Sequence, residues 1–195
     1  MYSAGNVGTY RWLAPKCLLR ATVVAMLGLA TLSCTEPVVG TPTTSPLPTN
    51  KSGHTRITWE PCTEIPSSVI AEQQLDARPP ERKSLGTDGV MVIGCKYKSR
   101  TGYYFTIDAS NYTLKMDKKD DTHWDYRDFE INGRTALSYY VSSRPHTDGC
   151  AIDVAATTGL YGVMVSDGNN GFAPYPDCLA AARANIEALL PYFPY

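Results

Sequence analysis

The chain has 195 residues, 19 of them acidic and 18 basic, for a formal net charge of −1, with 14 prolines and six cysteines. Lys118-Lys119, its most obvious basic pair, is flanked by Asp117, Asp120 and Asp121. Nucleic acid is therefore excluded as an expected partner, because such binding needs clustered Lys and Arg to displace counterions.

Arg11, Lys16 and Arg20 precede an apolar run from Ala21 to Leu32 that is too short to span a bilayer comfortably, followed by Ser33 and Cys34. The pattern predicts a lipoprotein signal peptide over residues 1–33, with Cys17 removed along with it. Leu32-Ser33-Cys34 resembles the end of bacterial lipoprotein signals, whose cysteine receives a diacylglycerol and becomes the new amino terminus. Thr31 stands where that pattern prefers leucine. The resemblance implies lipidation at Cys34, with a gain of about 0.8 kcal/mol for each buried methylene, and anchoring to the outer face of the cytoplasmic membrane. An ordinary signal cut nearby would instead leave Cys34 as a spare thiol. Losing the leader removes three basic residues and no acidic ones, so the exported chain is the more acidic.

Residues 34–54 are rich in Pro, Thr and Ser, as in Gly40-Thr-Pro-Thr-Thr-Ser-Pro-Leu-Pro-Thr49, and are expected to form a disordered tether behind the lipid. From 55 to 195 the composition is that of a single folded domain. Pro61–Leu75 predicts a short helix with Pro66 in its first turn and Val69, Ile70 and Leu75 on its apolar face. Arg78-Pro-Pro-Glu-Arg-Lys83 predicts an exposed loop.

Val90–Lys98 and Tyr103–Ala109 read as a hairpin, the second strand alternating Tyr103, Phe105, Ile107 and Ala109 with Tyr104, Thr106, Asp108 and Ser110. Asn111–Asp125 is polar and predicts a short helix with loop. Asn132-Gly133 supplies the positive φ angles of a tight turn between Arg127–Ile131 and Arg134–Ser142. Cys150–Ala155 and Leu160–Ser166 form a third hairpin across Gly159. Asp177 caps a final helix that Pro191 ends. The expected fold is α+β: a single antiparallel sheet of about six strands, in three successive hairpins, packed by an N-terminal and a C-terminal helix.

Cys62, Cys95, Cys150 and Cys178 remain in the exported domain and predict two disulfides, for which three pairings exist. Cys62 with Cys95 and Cys150 with Cys178 are favoured, each tying the start of a helix to a neighbouring strand. No two of these cysteines stand at the short spacings of a zinc site, so no metal and no other cofactor is expected.

Trp59-Glu-Pro-Cys62, Cys95-Lys-Tyr97, Gly133-Arg-Thr-Ala-Leu137 and Asp177-Cys178 together resemble the actinobacterial lipoprotein family known as domain of unknown function 3558. The resemblance covers nearly all of the folded domain. It implies a disulfide-bonded domain of the cell envelope and supplies no catalytic residues.

His54 lies beside the tether, which leaves His123 and His146 as candidate acid–base groups. Asp120-Asp-Thr-His123 lacks the glycine and terminal glutamate of a calcium loop, and Gly168-Asn-Asn-Gly171 opens onto Phe172-Ala-Pro rather than a helix, so neither predicts a metal or phosphate site. Trp59, Trp124, Tyr103, Tyr104, Tyr139, Tyr140 and Tyr161 are candidate recognition aromatics, and the members of each Tyr-Tyr pair must point to opposite faces of a strand. The expected function is a non-enzymatic, lipid-anchored module that binds an envelope protein or a small ligand. An envelope hydrolase using His123 or His146, and a structural accessory of a membrane complex, are the two alternatives.

Overall fold

The computed structural model describes residues 46–195. The expected leader, the expected lipid site at Cys34 and most of the expected tether lie outside the described residues. The last tether residues are folded back: Asn50 accepts the backbone N–H groups of Ser52 and His54 on Oδ1 and donates Nδ2 to the Gly89 carbonyl. The ordered domain thus takes in part of the segment assigned to the tether.

The first helix, α1 (Ser67–Glu72), is preceded by Pro66 as its cap and buries Ile70. It is shorter than the predicted segment, because Gln74 adopts a left-handed φ of 56° that ends it. Leu75, beyond that turn, is fully buried in the main core.

Next come β1 (Glu81–Thr87), β2 (Val90–Lys98) and β3 (Tyr104–Ser110). A four-residue helix, α2 (Leu114–Asp117), sits in the crossover to β4 (Trp124–Ile131), which a two-residue turn joins to β5 (Arg134–Tyr140); a loop over 141–148 leads to β6 (Gly149–Ala156), and a second two-residue turn to β7 (Gly159–Ser166). Helix α3 (Cys178–Leu189) closes the fold, with the Asp177 carboxylate accepting the Ala180 N–H at 2.8 Å.

All seven strands form one antiparallel sheet in the order β1-β2-β3-β7-β6-β5-β4. The expected six become seven because Glu81–Thr87, whose first three residues fall in the expected exposed loop and whose last four carry no strand signal, pairs along its whole length with β2. Every residue of β1 is exposed, so the strand rests on ladder hydrogen bonds and leaves no hydrophobic alternation to read. Asp88 and Gly89, both at positive φ, make its two-residue turn. The helical layer also differs from expectation: the long helix α3 lies on β6 and β7, whereas α1 has only six residues and places Ile70 in the core.

The core lies between the sheet and α3, where Phe105, Ile107, Ile152, Val163 and Val165 meet Ala181, Ala182, Ile186 and Leu189. Cys62–Cys95 ties the approach to α1 to β2, and Cys150–Cys178 ties β6 to the start of α3, with Cα separations of 5.1 and 5.9 Å.

The strand order makes one demand on the opposite face. Strand β3 is central and β4 is the far edge, so the crossover must travel past β7, β6 and β5. It does so on the face away from α3, where Leu114 packs against a second cluster of Leu137, Tyr139 and Ala151.

Candidate functional site

The residues that carried the family resemblance are structural. Trp59 is 8% exposed and meets Tyr161 and Phe193 edge to face at 5.4 and 5.5 Å. Gly133 holds a φ of 75° in the β4–β5 turn. Arg134 is buried and donates to the carbonyls of Phe193, Ala155 and Pro194, pinning the carboxyl-terminal tail to the sheet. Burial lowers the Arg134 pKa. The four domain cysteines are bridged, and Asp177 caps α3.

The candidate aromatics divide by strand parity. Tyr103 and Tyr161 are 2% exposed and belong to the main core, leaving Tyr104 half-buried on the other face beneath Arg78, Lys96 and Lys98, which lie 5.0, 4.1 and 3.9 Å from its ring centroid. Tyr139 is buried although it points away from α3, because the crossover covers that face too.

Trp124 and Tyr140 stack at 4.7 Å where β4 enters the sheet. A bulge at Asp125, whose φ is 55°, shifts the register between Trp124 and Arg127 and turns Trp124 toward the loop after β5. The indole N–H then donates to the Ser142 carbonyl at 2.8 Å, and the Arg144 guanidinium lies 5.6 Å from the ring. Asp121, Thr122, His123, Trp124, Ser143 and Arg144 surround an open cleft of about 500 Å³. A second cavity of about 390 Å³, between Asn111–Lys115 and Ala155–Leu160, offers less chemistry. Its Asn111 side chain is occupied by the Met91 N–H and the carbonyls of Thr55 and Gly89.

His123 reaches the first cleft, and its ring stacks on Tyr139 at 4.8 Å. Its Nδ1 is buried without a hydrogen-bond partner and stands 3.8 Å from Asp120 Oδ2, beyond the reach of a hydrogen bond that would orient a general base. His146 is exposed in the loop between β5 and β6. The fold therefore brings His123, Trp124, Tyr139 and Tyr140 together and leaves His54 and His146 apart.

Beneath His123 and Tyr139 lies a carboxyl cluster that the sequence analysis did not single out. Gly94, Asp108, Gly162, Asp153 and Leu137 form one row across β2, β3, β7, β6 and β5. Each carboxyl leans over a glycine: a Cβ on Gly94 would stand 2.5 Å from Asp108 Oδ1, and one on Gly162 would collide with Asp153 Oδ1. Tyr139 donates its hydroxyl to Asp153 Oδ2 at 2.7 Å. Burial, then the neighbouring Asp153, pushes Asp108 up to about 8; the same two causes, in the same order, push Asp117 up to about 8. Asp153 is also raised by burial, against the hydrogen bonds of Tyr139 and Asp117. The available signal was an aspartate at a strand position whose cross-strand partners are glycines. Among the described residues no three His, Cys, Asp or Glu side chains are arranged to hold a metal ion.

No curated protein and no solved structure matches the chain. A family model does match, over residues 29–191, which spans the whole sheet, both disulfides and α3. The chain belongs to the family described as Protein of unknown function (DUF3558).

Proposed function

We propose that this protein is a binding module of the cell envelope, held by lipid at Cys34 on the outer face of the cytoplasmic membrane, that takes an envelope protein or small ligand in the cleft beside Trp124. The observation that carries this reading is the cleft's lining, an indole, an imidazole and a guanidinium around about 500 Å³, with no histidine hydrogen-bonded to a buried carboxylate. Planar stacking and a fixed cation serve recognition, whereas hydrolysis through His123 lacks its orienting partner. The accessory reading finds less support, since exposed Leu85 and Met91 point to opposite sheet faces and make no single flat patch. The apolar run before Cys34, the tether and two disulfides all fit an exported, anchored design.

Crosslinking in intact cells tests the proposal. Wild-type protein is expected to capture a reproducible partner or ligand that Trp124→Ala and Arg144→Ala both lose, while fatty-acid labelling disappears in Cys34→Ala. Capture of nothing by the wild type, together with a hydrolytic activity lost in His123→Ala or His146→Ala, would overturn the binding reading. Unchanged labelling of Cys34→Ala would overturn the anchor.

A further inference from the structure

We propose that the β1–β3 half of the sheet face turned away from α3 is a membrane-docking surface, drawn to anionic phospholipid headgroups by a cluster of cations around Tyr104. Register places these residues on one face: Lys98 stands opposite Tyr104, Lys96 opposite Glu81, Lys83 opposite Gly94, and Leu85 opposite Val92. The crossover covers the other half of the face, where Leu114 packs on the cluster of Leu137, Tyr139 and Ala151. On the β1–β3 half Lys83 and Leu85 are exposed, and Lys96, Lys98 and Tyr104 are half-buried.

Three cations converge there on one ring. The ammonium groups of Lys98 and Lys96 lie 3.9 and 4.1 Å from the Tyr104 centroid and the Arg78 guanidinium 5.0 Å from it, so no more than about 8 Å separates the two ammonium groups. An aromatic face attracts each cation but carries no net charge, so their mutual repulsion persists until an anion offsets it. Glu81 is the carboxylate among them, and it pairs with Arg78 and Lys83. Among the described residues Lys96 and Lys98 make no ion pair; Lys98 donates to the Gly102 carbonyl, and Nε of Arg78 is buried without a partner. Asp108, further along β3, holds its proton up to about 8 and adds little negative charge at neutral pH.

The composition of the face and the position of the anchor select the occupant. Leu85, 75% exposed beside Lys83, gains an apolar layer to enter, and lysine and tyrosine are residues that settle at the headgroup level. Acidic residues outnumber basic ones beyond the leader, so anionic lipid repels much of the remaining surface and favours this one orientation. The setting rests on the anchoring at Cys34 proposed above. Residues 35–45, eleven in number, separate Cys34 from the described chain and reach about 36–40 Å at full extension. Asn50 ties the chain to Gly89 at one end of the β1–β2 hairpin, and the cations lie toward its other end, about 25 Å away, within that reach. Strand β4, which carries Trp124, is six inter-strand spacings from β1, or about 29 Å, so contact through the β1 edge leaves the recognition cleft free of lipid.

Vesicle sedimentation tests the surface on unlipidated chain 35–195, which keeps the whole compact unit Thr44–Tyr195. Wild type is expected to bind vesicles of equal phosphatidylglycerol and phosphatidylcholine in about 20 mM salt, to leave them in about 0.5 M salt, and to ignore phosphatidylcholine alone. Each lysine near an anionic surface is worth about fivefold, so Lys96→Gln with Lys98→Gln should bind about 25-fold more weakly, while Lys96→Arg with Lys98→Arg keeps wild-type binding. Arg127→Gln with Arg183→Gln removes the same charge from β4 and α3, where both side chains are exposed, and should stay within about twofold of wild type. Absence of wild-type binding, undiminished binding by the lysine-to-glutamine pair, or equal weakening by the arginine pair would each overturn the proposal. So would displacement by about 10 mM inorganic phosphate beyond that by chloride at equal ionic strength, which would mark a small-anion site. The anchor is read separately: fatty-acid labelling at Cys34 without vesicle binding by the unlipidated chain keeps the anchor and overturns the docking surface, and the reverse result keeps the surface and removes the anchor.

Discussion

Arg134 shows how a single side chain closes this fold. It follows the Asn132-Gly133 turn, so its guanidinium starts from a fixed point at the end of the β4–β5 hairpin and reaches the last residues of the chain. The carbonyls of Phe193, Ala155 and Pro194 accept its N–H groups, and Tyr195 lies over it at 4.7 Å. Among the described residues no carboxylate forms an ion pair with Arg134, and the cation is held by carbonyl dipoles and an aromatic face. Removing it strands three acceptors and loosens Phe193, which packs on Trp59. Arg134→Ala is expected to lower the unfolding free energy by about 2–4 kcal/mol in urea titrations, with Arg134→Lys intermediate because a point ammonium cannot span the fork. Equal stability of wild type and Arg134→Ala would show that the tail is held without it.

At the scale of elements, the two bridges and the sheet divide the labour. The bridges span 33 and 28 residues, and closing loops of that size in the unfolded chain is worth about 3.5 kcal/mol each in the chain-entropy model. Cys150–Cys178 joins β6 to the first residue of α3, so its loss frees the helix that covers the main core. The Cys150→Ala, Cys178→Ala double variant should lose about 2–4 kcal/mol, measured as a lower urea midpoint under non-reducing conditions. Three of the five antiparallel pairings between successive strands, and α3, were legible because their signals are local: alternation in Tyr103–Ala109, Asn-Gly at a turn, Asp177 before an apolar helical face. Strand β1 was not, since a fully exposed edge strand is selected by backbone pairing and leaves Glu81-Arg82-Lys83 looking like loop. The carboxyl row escaped for a related reason. Asp108, Gly162 and Asp153 are brought together by the long-range pairings of β3, β7 and β6, which no window of sequence contains. The cleft was half legible: His123, Trp124 and Tyr140 were singled out, but Arg144 joins them only through the turn after β5.

For the whole molecule, the buried carboxyls set the direction in which stability changes with pH. Asp108 and Asp117 hold their protons up to about 8 in the folded state but would release them near 3.8 in the unfolded chain. Between those values the folded state binds more protons than the unfolded one, so the unfolding free energy falls as pH rises, by about 1.4 kcal/mol per pH unit for each proton involved. Above about 8 the loss is complete. Asp76 and Asp120 act in the opposite sense: the hydrogen bond from Arg100 and that from Thr122 lower their pKa values, so their contribution is present above 3.8 and lost in stronger acid. Both are largely exposed, so the buried pair dominates above pH 4. The protein should be most stable near pH 4–5, with its urea midpoint declining steadily through pH 7.5. Asp108→Asn keeps the shape of the side chain and removes its proton equilibrium, so it should flatten that decline by about one proton's worth of slope. A wild-type midpoint that rises between pH 5 and 7.5 would mean that these carboxyls are ionised in the folded protein and stabilised by partners other than a proton.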